Sequence, residues 1–164
     1  MESEGDRTGT AAAMIIGVDP GLSGAVAFVS DAGDLVDVID MPVTGGRVDG
    51  YLLALEIDRH TAGETARAVI EDVHAMPKQG VTSTFKLGRS VGIIDGVLGA
   101  LCIPTQHVAP SRWKRAMGVT ADKGTSRRLA IATWPAAAAS FARVKDDGRA
   151  EAALIAKWGL DHDR

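Results

Sequence analysis

The chain has 164 residues, 46% of them apolar and 24% charged, with a formal net charge of −3; that balance belongs to a folded globular domain, not a disordered chain. Its length suits one domain burying about 70% of the surface the unfolded chain exposes. It offers no apolar run of the ~18–20 residues a membrane span needs, no basic-then-apolar secretory signal in MESEGDRTGTAAA, and a single cysteine, Cys102, hence no disulfide framework.

Residues 1–13, polar and small, are expected to form a flexible tail ahead of one domain over 14–160. MIIGV, Met14 to Val18, is an apolar first strand. A turn on Pro20, Gly21 and Gly24 leads to a second strand, AVAFVS, and DAGD, Asp31 to Asp34, turns the chain into LVDVIDM. The period-two alternation of that third strand marks it as half-exposed. Pro42 to Gly50 reads as loop, and helical spacing follows from Tyr51 to about Ala62. ARAVIEDV is a fourth strand, buried until Glu71, and HAMPKQG leads into a long helix from about Thr82 to Leu101. IPTQHVAP is a fifth strand, closed by Pro110; Cys102 lies just before it in apolar surroundings and is expected to be a buried thiol, in keeping with a cytoplasmic protein. Two basic helices, about Ser111 to Met117 and Lys123 to Trp134, precede the small-residue link AAAAS and a last helix from about Gly148 to Trp158. Three strands in a meander, followed by strands reached through helical crossovers, predict a five-stranded mixed α/β sheet with helices on both faces.

Charge is distributed unevenly. Arg112, Lys114, Arg115, Lys123, Arg127 and Arg128 stand against one acid, Asp122, so residues 112–128 carry +5 and the remainder −8. A basic segment of this kind is either a solvated pair of helices or a phosphate-binding face.

The acids recur where apolar runs stop. Asp19 ends the first strand and Glu71 the fourth, and in open α/β sheets ligands bind beyond the carboxyl ends of strands. Asp72 faces the opposite way by strand alternation, so Glu71 is the better partner for Asp19 if their strands are neighbours. In VKDDGRAEAALIAKWG, Asp147 and Glu151 share a helical face at i, i+4, with Asp146 in reserve. Capping explains an Asp at a helix start; it explains Glu151 less well. Four converging carboxylates cannot all ionise without counter-charge. Two divalent cations about 3.5–4 Å apart would supply it, and an oxygen-only set suits Mg2+ or Mn2+. No zinc-type Cys/His spacing or Walker loop competes with that reading.

Several segments together resemble the RuvC family of Holliday junction resolvases, within the ribonuclease H-like nucleases. They are IIGVDPGLSGAVAFV, VIEDV, KLGRSVGIIDGVL, VAPSRWKRAMGVTADKGTSRRLA and DDGRAEAALIA, spread in order from about Met14 to Trp158. The resemblance implies a ribonuclease H-like fold and a metal-dependent endodeoxyribonuclease that cuts two strands of a four-way DNA junction symmetrically, as a homodimer. It implies that Asp19, Glu71 and two acids of the last helix bind the metals. Lys114 and Lys123 take the family's basic positions, Lys123 close to the scissile phosphate. The family's last acids are two aspartates at i, i+3, where this chain offers Asp147 and Glu151. His74 falls where many members carry an aromatic that wedges into the junction, implying a relaxed cleavage preference. Leu87, Val91, Ile94 and Leu98, with Gly88, Gly92, Gly96 and Gly99, mark the long helix as either the dimer element or a core helix. The alternatives are a non-catalytic branched-DNA-binding protein on the same fold, or a nuclease for RNA–DNA hybrids.

Overall fold

The computed structural model describes residues 14–74, 80–122 and 124–162; the expected tail, 1–13, and Lys123 lie outside them. Among the described residues, seven strands and five helices follow in the order β1 Met14–Asp19, β2 Ala25–Ser30, β3 Leu35–Asp40, β4 Val43–Thr44, β5 Arg47–Val48, α1 Gly50–Thr61, β6 Ala66–Glu71, α2 Val81–Ala100, β7 Thr105–Val108, α3 Pro110–Met117, α4 Thr125–Thr133 and α5 Asp147–His162. The main sheet has the order β3-β2-β1-β6-β7. β1 pairs antiparallel with β2 and β2 with β3, while β6 lies parallel to both β1 and β7. The expected five-stranded mixed sheet is therefore present. Segment 42–50, expected as loop, forms the small β4–β5 hairpin, turned by Gly45 and Gly46, both at positive φ. AAAAS is one 3-10 stretch, Pro135–Phe141, and a second, Val144–Asp146, leads into α5.

Strand alternation divides the core into two. Ile15 of β1, Ala25, Ala27 and Val29 of β2, and Val69 of β6 face α3, α4 and α5. Ile16, Val18, Val26, Phe28, Ala68 and Ile70 face α1 and α2 on the other side. His60, in the last turn of α1, stacks on Phe28 with ring centroids 4.0 Å apart and approaches Asp37 Oδ2 at 2.8 Å, tying α1 to β2 and β3.

One expectation needs correcting. Cys102 is exposed: it occupies the turn that follows α2, at φ 55°, outside the apolar layer. On α2 the buried line is Ser90, Ile94 and Leu98, with Leu87 and Val91 only half-buried. Gly88, Gly92, Gly96 and Gly99 turn away from the sheet, with no atom within 4 Å of where a Cβ would stand. No helix among the described residues is long and apolar enough to cross a membrane.

Candidate active site

β1 and β6 are neighbours, with Val18 opposite Ile70. The next residue of each strand is an acid, so Asp19 and Glu71 stand side by side on the α5 face of the sheet. α5 crosses β1 at very short range. A Cβ on Gly17 would lie 2.0 Å from Ala152 O and 2.5 Å from Ala156 N, so only glycine admits the helix. One turn earlier, a Cβ on Gly148 would meet Ser23 O at 2.7 Å and Asp19 Oδ2 at 3.2 Å. Gly148, Ala152 and Ala156, spaced by four, are thus the ridge that lies on β1. Glu151 projects beside that ridge. Carboxylate oxygens of Asp19, Glu71 and Glu151, one from each, come within 4.8 Å of one another.

The cluster is electrostatically loaded. Burial pushes the Asp19 carboxyl well above its ordinary range, and the like charges of Glu151 and Glu71 push the same way. Burial also raises Glu71, against the opposing pull of the Trp113 N–H and the Lys114 ammonium. Lys114 Nζ stands 3.3 Å from Glu151 Oε1 and 3.9 Å from Glu71 Oε1. Trp113 Nε1 donates to Glu71 Oε1 at 2.9 Å, and Ser126 Oγ to Glu151 Oε1 at 3.3 Å. Three carboxylates from three elements, gathered within 4.8 Å and offering oxygen alone, form a donor set that fits a hard divalent cation such as Mg2+ or Mn2+. A cleft of about 390 Å³ opens onto Asp19 and Glu151, lined also by Ser23, Lys145 and Asp147.

The sequence matches no family model and no curated protein. Its fold does have solved counterparts. A Thermus thermophilus RuvC in complex with a Holliday junction substrate superposes with a TM-score of 0.62 at 14% identity, over 92% of this chain and 96% of that chain. A second Thermus thermophilus RuvC structure gives 0.60 at 13% identity, over 90% and 95%. The yeast mitochondrial Holliday junction resolvase Ydc2 gives 0.56 at 14% identity, over 93% and 82%. The chain has a RuvC-like fold.

Within this RuvC-like fold the remaining expected residues are scattered. Asp147 lies outside the three-carboxylate cluster, half-exposed, with its Oδ1 accepting Arg127 Nε at 2.7 Å; it nevertheless lines the cleft with Asp19 and Glu151. Asp146, the reserve, is 1% exposed and bonded to its own turn, accepting the Arg143 backbone N–H at 2.8 Å and the Arg143 guanidinium at 2.8 and 3.1 Å. Of the basic segment, Lys114 and Arg127 contact the acids just described. Arg112 lies over the Trp158 ring at 5.4 Å, Arg128 pairs with Asp122 at 2.6 Å, and Arg115 is exposed. His74, just beyond β6, is exposed and 3.2 Å from Asp72. Sequence reasoning passed over Trp113 and Ser126. A lone Trp inside SRWKR reads simply as the apolar side of a basic helix, and the available signal was that a buried indole N–H needs an acceptor.

Proposed function

We propose that the chain is a divalent-metal-dependent endodeoxyribonuclease that resolves four-way DNA junctions, and other branched DNA, by paired symmetric hydrolysis of phosphodiesters. The convergence of Asp19, Glu71 and Glu151 at the carboxyl ends of β1 and β6 carries this reading. In it these three carboxylates hold Mg2+ or Mn2+, two ions per site, with Asp147 as the fourth acid. Bound there, the ions supply polarisation of the phosphodiester and an attacking water that ionises near neutral pH. Lys114, within reach of Glu71 and Glu151, places a positive charge beside the reacting phosphate, and Lys123 is assigned the same task. Arg112, Arg115, Arg127 and Arg128 bind the DNA backbone, and His74 contacts bases at the branch. Two copies, joined along the outward glycine face of α2, present two sites related by a two-fold axis, as a four-way junction requires. Such an enzyme works on DNA in the cytoplasm of a bacterial or phage-infected cell.

The carboxylate cluster supports cleavage over passive DNA binding: a binding protein has no need to gather acids beside a polyanion. The test is incubation of four-way, three-way and flap DNAs with Mg2+ or Mn2+, alongside Asp19→Asn and Glu151→Gln. The expected outcome is paired, symmetric nicking of the four-way junction, abolished in both variants. Uncut junctions beside a cut RNA–DNA hybrid would overturn the substrate, and single uncoupled nicks would overturn the dimer. Mapping on junctions of varied sequence is expected to show no single dominant cleavage site; one cognate site would remove the role given to His74. Immunolocalisation outside the cytoplasm would remove the cellular assignment.

A further inference from the structure

Glu71 enters the carboxylate cluster already committed on one side. Its Oε1 accepts the indole N–H of Trp113 at 2.9 Å, and Trp113 is wholly buried against the α5 side of the core. Indole nitrogen donates and never accepts, so this bond lasts only while the carboxylate keeps an oxygen turned toward the ring. The ring itself is held. It projects from α3, whose first residue is Pro110, and Lys114 Nζ lies 5.1 Å from its centroid. A rigid, buried, donor-only group thus holds one oxygen of Glu71, Oε1, in a hydrogen bond. Neither backbone binding to DNA nor charge compensation calls for a neutral donor at this place.

We propose that Trp113 is a positioning residue that makes Glu71 a one-oxygen ligand, so that the centre favours small octahedral cations over Ca2+. The inference rests on the metal-binding reading given above. Ca2+ takes six to eight oxygens in flexible arrangements and readily accepts both oxygens of one carboxylate, whereas Mg2+ demands near-octahedral order from fewer protein oxygens; Mn2+ is likewise served by octahedral oxygen sites. With one acceptor site of Oε1 engaged by the N–H, chelation through both oxygens would compete with a buried hydrogen bond, at the expense of a binding mode that Ca2+ would use.

The test is isothermal titration of MnCl2 and of CaCl2 into the full chain. The wild type is compared with Trp113→Phe and with a chain carrying β-(3-benzothienyl)alanine at position 113, which keeps the ring shape and puts sulfur in place of N–H. Removing a partner of a metal-binding side chain weakens binding by about 10- to 100-fold. Mn2+ is expected to show that loss and Ca2+ a smaller one, narrowing the preference by about tenfold or more. Equal weakening of both ions, or no change in either, would overturn the inference. If Trp113→Phe loses its circular dichroism signal, the sulfur isostere alone decides. Asp19→Asn separates the two levels: Mn2+ binding indifferent to that change would sink the metal centre itself, and this inference with it.

Discussion

Asp19 is buried beside two other acids, and every one of those conditions raises its carboxyl except the opposing charge of Lys114. The folded chain therefore holds a proton that the unfolded chain has released, over a window opening at the ordinary Asp value of about 3.9 and closing at the raised one. Within it the native state binds more protons, so stability falls as pH rises. In EDTA, Asp19→Asn removes that dependence. Its melting temperature should gain on the wild type as pH is raised from acid toward neutrality, and parallel melting curves at all pH values would count against this account. MnCl2 should stabilise the wild type increasingly toward neutral pH, because metal ligation displaces the same protons. Cleavage should rise with pH over that window for the same reason.

At the head of α5 two adjacent aspartates take different work. Asp146 closes the preceding turn on Arg143, whose guanidinium keeps its carboxyl below the usual range, while Asp147 opens toward the cleft. Asp146→Ala should cost about 1–2 kcal/mol, as losing a helix-entry acceptor does, and leave Mn2+ affinity at the wild-type value; calorimetric and denaturant titrations check the two halves separately. Much of this was readable beforehand. Strand alternation and the acids at the ends of the first and fourth predicted strands made Glu71 the partner for Asp19, on the one condition that the two strands be neighbours, which β1 and β6 are. The division of roles between Asp146 and Asp147 was less readable, because it turns partly on Arg127, twenty residues earlier and on another helix. The same holds for the Trp113–Glu71 bond, which spans forty-two residues, and for Cys102, whose apolar neighbours in sequence end at a turn instead of a buried strand. Local pattern carries faces and ends; partners brought by the fold from distant segments do not register in it.

Across the molecule, the basic segment and the acidic remainder are not two separate surfaces. Lys114 and Arg127 touch Glu71, Glu151 and Asp147 directly, so positive charge runs up to the edge of the carboxylate cluster. DNA held by its backbone there should show strong counterion release. Affinity for a four-way junction, measured by fluorescence anisotropy, should fall on the order of 10³-fold between roughly 50 and 200 mM salt, and a flat response would exclude backbone-driven binding. The close crossing of α5 over β1 has a broader consequence. Position 17 belongs to none of the clustered carboxylates, yet a single methyl there could be relieved only by lifting the helix that carries Glu151. Core thickness and the spacing of the carboxylate cluster are therefore one adjustment, set by the absence of a side chain, and the chain cannot retune either without changing the other.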